Sequence, residues 1–571
     1  MNSQNFDLKK NLSLAFEKLQ NNNISEASDI YKKILEFHPD NFESNFYLGT
    51  IFAQNNNLKE ASVLLEKAII ANPRIPDVHN NLGLIYMRLK ENEKAIKSLE
   101  TSIKLNPKYS AAFCNLGLVH NQLEETEKAK NNFLKAIETN PKNILAYYNL
   151  GNLFKKTNEI EDSERYYIKA INLAPNFLDA YTNLMDLFER ANLNLKLDEI
   201  IKKAEENIKE NPTIKLFKGK LLFKSKKYSE VVKILNSIKF KPNEMIKEGS
   251  RTVTLAKSYD HLDNFDKAFE YFKITNEINS NLNKDSINKL KFVNTIKKRI
   301  NFFEKKEIML WPSSKLNNKT KNPTFLIGFP RSGTTLLDTI LRSHSSIDVI
   351  EEKPIINEFI DALENKINSN FNNLKNIDEN LLDEMRNVYF NSQSKYIKPN
   401  DDKIYIDKMP LNIIYVGEIV RIFPNAKFIL AIRHPCDCVL SCFMQNFELN
   451  DAMANFLNLE DTAKLYNLTM TLWEKYLSAL SINFHTIKYE DIVLNFDISV
   501  KKILNFLELP WTENVKTFYK KADDRGVINT PSYNQVNQPI YSKSMGRWKN
   551  YEKEVSKILP LLDPWIKKYG Y

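Results

Sequence analysis

No stretch of the 571-residue chain approaches 18 uninterrupted apolar residues, so no membrane-spanning helix is expected. The opening MNSQNFDLKKNLSLAFEKLQ has neither a long apolar core nor a small-residue cleavage site, and does not read as a signal peptide. Cysteine is scarce: Cys114, Cys436, Cys438 and Cys442, the last three crowded into HPCDCVLSC. A metal centre needs more ligands at better spacing. No metal is therefore expected, and the thiols read as small packing residues in a reducing, cytoplasmic compartment. The net charge of +10 suits an anionic substrate, although lysine-rich helices would produce it alone. No nucleic-acid recognition motif accompanies that charge, so no nucleic-acid partner is expected. With 43% hydrophobic and 27% charged residues the chain has the make-up of a soluble globular protein, and its length implies more than one domain. Nothing in it sets an oligomeric state.

What is present begins with a period. Pro39, Pro73, Pro107, Pro141 and Pro175 are each 34 residues apart, as are Gly49, Gly83, Gly117 and Gly151, and Ala27, Ala61, Ala95 and Ala129. One repeat reads DVHNNLGLIYMRLKENEKAIKSLETSIKLNPKYS: two helical stretches, a turn, and a closing Asn-Pro. The small Gly83 and Ala95 let two helices approach, and Pro107 stops one repeat and starts the next. Period and motif resemble the tetratricopeptide repeat over residues 8 to about 187. A shifted version continues through NPTIKLFKGKLLFKSKKYSEVVKILNSIKF and AKSYDHLDNFDKAFEYFKITNEI. Such units bury their apolar faces only by stacking, which implies an all-α superhelix with a concave surface over residues 1–282. A helical linker and junction, residues 283–320, follows; it includes most of the polar WPSSKLNNKTKNPT. Asn81, Asn115, Asn149 and Asn183 share one repeat position, each before a leucine. On the inner face they would form a ladder of amides matching the N–H and C=O of an extended peptide, which makes a protein or peptide acceptor the expected partner.

Past Pro323 the texture changes. TFLIGF, KIYIDK, KFILAIR and FHTIKYE read as strands between helical stretches, implying an α/β domain with a parallel sheet whose ligands sit at the carboxyl ends of the strands. The segment 366–380, KINSNFNNLKNIDEN, reads as a surface excursion. FLIGFPRSGTTLLDTIL has the strand, loop and helix of a phosphate-binding loop. Gly328, Gly333 and Thr335 take their places in it, but Thr334 stands where the lysine that reaches a nucleoside triphosphate would be. No strand clearly supplies a Walker B aspartate. The loop amides, the hydroxyls of Thr334 and Thr335 and the charge of Arg331 still make an anion site. A second one is suggested by Arg433 at a strand end with Ser441 eight residues later.

This pair of motifs resembles the sulfotransferases that use 3′-phosphoadenosine 5′-phosphosulfate. The resemblance covers residues 321–571, is nearest to the protein-tyrosine sulfotransferase-like branch, and implies the P-loop-like sulfotransferase fold. It implies that Arg331, Ser332, Gly333, Thr334 and Thr335 hold the 5′-phosphosulfate and that Arg433 and Ser441 hold the 3′-phosphate. Tyr489 matches a tyrosine against the nucleotide, and Ser532 and Arg547 match a segment folding over it. In SHSSIDVIEEKP the branch's catalytic glutamate falls on Glu352, with Glu351 as the alternative, and IDKMPLN supplies Lys408. Glu352, Lys408 and Arg331 are thus the expected catalytic set. Many sulfotransferases acting on small molecules use a histidine base, and no histidine occurs between His344 and His434 where it would fall. One departure is Gln445, where tyrosine-directed enzymes have a basic residue four after the serine. The implied activity is sulfuryl transfer to tyrosine in a protein or peptide held by the repeats. The alternatives are sulfation of a carbohydrate or small hydroxyl compound over scaffolding repeats, and an inactive binding scaffold.

Overall fold

The structure is a computed structural model describing residues 7–304, 322–398, 400, 402–519 and 544–571. It divides into two compact units, Met1–Lys226 and Lys227–Tyr571.

The first unit is helical. Its pairs are α1 (Leu8–Gln20) with α2 (Ile24–Phe37), α3 (Phe42–Gln54) with α4 (Leu58–Ala71), and α5 (Pro76–Arg88) with α6 (Asn92–Leu105). They continue as α7 (Ser110–Gln122) with α8 (Thr126–Thr139), α9 (Ile144–Lys156) with α10 (Ile160–Leu173), and α11 (Leu178–Arg190) with α12 (Asn194–Asn207), before α13 (Pro212–Lys224). The period is visible in the backbone. Asn22, Asn56, Lys90, Glu124, Asn158 and Asn192 all take the left-handed conformation that ends the first helix of each pair. The glycines mark close approach: a Cβ at Gly117 or Gly151 would come within 2.6 Å of the Phe133 or Tyr167 ring on the paired helix. Ala27, Ala61, Ala95 and Ala129, on the second helix of their pairs, are fully buried.

The second unit begins with four more helices, α14 (Tyr228–Asn236), α15 (Met245–His261), α16 (Phe265–Asn283) and α17 (Lys289–Phe303). After them come β1 (Thr324–Gly328), α18 (Thr334–Arg342), β2 (Ile347–Glu351), α19 (Ile355–Lys366), α20 (Glu379–Ser394) and β3 (Ile404–Lys408). The series continues through α21 (Val416–Ile422), β4 (Lys427–Ile432), α22 (Pro435–Phe443), α23 (Leu459–Ala479), β5 (Asn483–Lys488), α24 (Tyr489–Leu494) and α25 (Phe496–Phe506). The five strands are all parallel, in the order β2-β3-β1-β4-β5. Every residue of β1 is buried, as a central strand covered on both faces requires. The chain leaves β1 toward the β2 edge and later fills the other side with β4 and β5. That reversal of direction opens a crevice beyond the carboxyl ends of the strands.

Packing and sequence motif draw the boundary differently. By motif the repeats extend to residue 282 and a linker to 320, yet α14–α17 belong to the same compact unit as the sheet. The reason is a set of specific docking contacts. Arg299 on α17 is 1% exposed, its Nη2 lies 2.6 Å from Glu418 Oε1, and its guanidinium sits 4.7 Å above the Tyr415 ring. On α16, Asn276 Nδ2 donates to the Phe443 carbonyl at 2.9 Å, and Phe269 stacks on Phe443 at 4.9 Å. Most of the expected polar junction lies outside the described residues. The segment 366–380 is not a bare surface excursion: Leu374 is fully buried, and the Leu374 and Ile377 carbonyls accept from Arg421. An asparagine-rich sequence hides such anchoring, because the carbonyls that do the work are backbone. Among the described residues no helix is long and apolar enough to cross a membrane.

Candidate functional site

Most of the expected site residues of the α/β part fall at the carboxyl ends of the five strands, while Ser441 lies on α22 and Arg547 in the C-terminal segment. Arg331 to Thr335 follow β1, Glu351 ends β2 and Glu352 follows it, Lys408 ends β3, Arg433 follows β4 and Tyr489 follows β5. Ser532 lies outside the described residues.

The loop after β1 ends in Gly333, whose φ of 96° and closeness to Tyr489 exclude a side chain: a Cβ there would meet the ring at 2.7 Å. That geometry lets α18 start at Thr334 with its first N–H groups facing the loop. Thr334 and Thr335 are buried at this terminus, and Ser332 is 2% exposed with its Oγ lacking a partner among the described residues. An unpaired hydroxyl buried beside a helix N-terminus fits an anion that completes it.

Arg331, Arg433, Ser441 and Arg547 line one small cavity, together with Asp437, Leu440, Met444 and Ser544. Arg331 Nε donates to Ser441 Oγ at 3.1 Å. Arg433 Nη1 donates to the Arg331 carbonyl at 3.3 Å, its Nη2 to the Ser544 carbonyl, and its Nε is buried without a partner among the described residues. The Tyr489 ring carries the Arg433 guanidinium at 4.9 Å. Burial first, then Arg433 and Arg547, push the pKa of Arg331 below its ordinary value. The cavity therefore concentrates positive charge that an oxyanion would neutralise.

Lys408 is fully buried, and its Nζ donates to Glu352 Oε1 at 2.7 Å and to Glu351 Oε1 at 3.2 Å. Burial opposes its charge, but Glu352, Asp338 and Glu351 together hold its pKa above the lysine value. Glu351 is the register partner of Lys408 across β2 and β3. Glu352 turns off the strand with φ of 49°, and its N–H donates to the Lys408 carbonyl at 2.8 Å. Its side chain is 39% exposed against 20% for Glu351, so Glu352 has the more open carboxylate of the two.

Several residues that shape the cavity were not singled out from the sequence. Asp437, inside the Arg433–Ser441 element, accepts from the Gly546 and Trp548 N–H groups at 2.8 and 2.9 Å and so pins the C-terminal segment. Asp260 on α15 takes Arg547 Nη2 at 2.7 Å and the Tyr551 hydroxyl at 2.6 Å. Lys257 stands one turn earlier on α15. Only Asp437 had a local signal, an acid in the first turn of a helix.

In the first unit the asparagine ladder is half-buried and partly engaged. Asn115 Nδ2 donates to Asn80 Oδ1 at 2.8 Å, and Asn183 Nδ2 to the Tyr148 hydroxyl at 3.0 Å and Asn152 Oδ1 at 2.8 Å. Asn149 Nδ2 lies 3.5 Å from Cys114 Sγ, and Asn81 Oδ1 accepts from Asn80 at 3.3 Å. The amides of Asn115, Asn149 and Asn183 bridge neighbouring repeats, a use that the shared repeat position alone does not distinguish from ligand binding.

Residues 323–513 match the sulfotransferase family, residues 76–109 and 144–177 match the tetratricopeptide repeat, and residues 120–158 match a TPR repeat. The chain is similar to an uncharacterized protein of Aquifex aeolicus (strain VF5), 29% identical over 266 residues, covering 44% of this chain and 34% of that one. It is similar to protein-tyrosine sulfotransferase 1 of Danio rerio, 23% identical over 263 residues, covering 44% of this chain and 73% of the relative. Of solved structures, a tetratricopeptide repeat protein from Parabacteroides merdae ATCC 43184 aligns over 43% of this chain and 98% of its own, at 20% identity and a TM-score of 0.35. The chain thus carries tetratricopeptide repeats and, C-terminal to them, a sulfotransferase-family domain related at low identity to protein-tyrosine sulfotransferases.

Proposed function

We propose that the second unit transfers a sulfuryl group from 3′-phosphoadenosine 5′-phosphosulfate to an acceptor hydroxyl, with tyrosine in a protein or peptide as the acceptor. The observation that carries this reading is the arrangement at the strand ends. A cationic cavity lined by Arg331 and Arg433 lies past β1 and β4, Ser332 Oγ and Arg433 Nε are buried without a partner among the described residues, and a lysine-held pair of carboxylates sits at the ends of β2 and β3. The residues fit the nucleotide's anions: Arg331 to Thr335 would hold the 5′-phosphosulfate, Arg433 and Ser441 the 3′-phosphate, with Tyr489 and Arg547 at the walls.

When bound, the cosubstrate supplies a sulfuryl group whose sulfur gains a bond to the acceptor oxygen as its bond to the nucleotide phosphate oxygen breaks. The carboxylate of Glu352 takes the acceptor's hydroxyl proton as attack proceeds, a role worth typically ~10²- to 10⁴-fold in rate. Lys408 holds that carboxylate in place and, with Arg331 and the loop amides, neutralises negative charge left on the departing phosphate.

A second reading is sulfation of a carbohydrate or small hydroxyl compound, with the repeats as scaffold. The inter-repeat hydrogen bonds of Asn115 and Asn183 favour it, since they give the ladder a structural use. Incubating the protein with a cell extract and cosubstrate labelled in its sulfuryl group separates the two. Label in tyrosine of protein supports the first, label in glycan or small molecules the second, and no transfer to any acceptor overturns both.

A further inference from the structure

The helical hairpin α15–α16 sits on the element that carries half of the anion cavity. Its Asn276 and Phe269 grip Phe443 at the end of α22, two residues beyond Ser441, and Asn279 Nδ2 donates to Asn446 Oδ1 at 2.9 Å. From α15, Asp260 reaches across 287 residues of sequence to Arg547 and so fixes one of the cavity's cations. Lys257 precedes Asp260 by three residues, which puts both side chains on one face of α15. That face is turned toward Arg547.

Lys257 is half-buried, and among the described residues no carboxylate or other acceptor is paired with its ammonium. Its charged neighbours are Arg331 and Arg547, and burial together with those two pushes its pKa down. A half-buried ammonium beside two guanidiniums, with the Asp260 carboxylate on its own face already engaged by Arg547 and Tyr551, is an unfavourable arrangement unless an anion joins it. Gln445, the neutral residue at the position where tyrosine-directed enzymes are basic, donates to the Asn446 carbonyl at 3.4 Å and adds no charge.

We propose that Lys257, from a repeat-type helix outside the sulfotransferase match, is a binding residue for the nucleotide's 3′-phosphate. It shares that phosphate with Arg433 and Ser441 and supplies the charge that Gln445 lacks. The inference rests on the proposed use of the phosphosulfate cosubstrate. It makes the hairpin α15–α16 a working wall of the nucleotide site, with Asp260 as the positioning residue for Arg547.

The test uses the full chain and two probes, adenosine 3′,5′-bisphosphate and adenosine 5′-monophosphate, with dissociation constants from calorimetry. Lys257→Gln should weaken the bisphosphate roughly ten- to a hundred-fold, the loss of one charged hydrogen bond to phosphate, and leave the monophosphate within about two-fold. Lys257→Arg should keep bisphosphate affinity within about five-fold of wild type, because it keeps the charge. Without ligand, Lys257→Gln should melt at or above the wild-type temperature, since it removes a repelled cation. Equal loss for both nucleotides, no loss for the bisphosphate, or a lower melting temperature without ligand would each overturn the assignment of Lys257. Failure of the wild-type protein itself to bind the bisphosphate would instead strike at the functional reading on which the inference rests.

Discussion

Arg331 Nε donates to Ser441 Oγ at 3.1 Å, joining two residues 110 positions apart. The two anion motifs, read separately along the chain, are therefore one hydrogen-bonded unit. Ser441→Ala should weaken adenosine 3′,5′-bisphosphate about ten-fold, by removing one hydroxyl donor to a phosphate. Arg433→Ala should abolish most of the melting-temperature increase that the bisphosphate produces by binding the native state. Magnesium ATP should stabilise the wild type far less. Equal stabilisation by ATP and by the bisphosphate would count decisively against the nucleotide assignment.

The shared lysine makes the two glutamates separable by kinetics. Glu352→Gln should lower kcat by roughly 10² or more while leaving nucleotide affinity near wild type. Glu351→Gln, which alters the more covered carboxylate, should cost less than about ten-fold. A reversed order would move the base to Glu351, and two inert substitutions would place it elsewhere.

Docking of α17 depends on Arg299 and Glu418, which are almost wholly buried. Arg299→Ala should destabilise the second unit by about 3–5 kcal/mol, because Glu418 is left as an uncompensated buried charge. Replacing both with leucine should recover most of that loss. Urea melts of the single and double variants check it; a double variant as weak as the single would show that the fault lies in packing.

Asp407 is fully buried next to the carboxyl end of β3, neither of its carboxylate oxygens has a partner among the described residues, and burial pushes its pKa up to about 7. Between about pH 4 and pH 7 the folded chain keeps a proton that the unfolded chain has released. Stability contributed by this group is thus full below about pH 4 and lost as the pH rises to about 7, by up to ~1.4 kcal/mol per pH unit. In Asp407→Asn that component of the slope should vanish. Identical pH slopes between pH 5 and pH 8 for variant and wild type would refute the assignment.

The asparagine ladder now carries a stability prediction. In the sequence, the shared repeat position of Asn115, Asn149 and Asn183 is consistent with a ladder of amides held free for a peptide. Their amides instead bridge to the preceding repeat. The triple Asn→Ala variant should lose about 1–3 kcal/mol of stability in the repeats, and any loss of protein-acceptor affinity must be read against that. An unchanged melting curve with weakened acceptor kinetics would restore them to the role of peptide ligands.

Much of this protein was legible in its sequence. The 34-residue period fixed the helix pairs, because a proline stop, a glycine contact and a left-handed turn are set by near neighbours. The β1 loop and the Arg433–Ser441 element were legible for the same reason: each is a strand, a turn and a helix start within a short segment. Only the tertiary structure decided what these segments meet. The sheet order brings Lys408 against Glu351 and Glu352, and the docking of α15 brings Asp260 to Arg547 and Lys257 toward the cations of the cavity. The inter-repeat bonds of the asparagines belong with these. A lysine or an aspartate on a helix looks the same in sequence whether it faces water or a partner hundreds of residues away. Such contacts are created by packing, and no local pattern of residues encodes them.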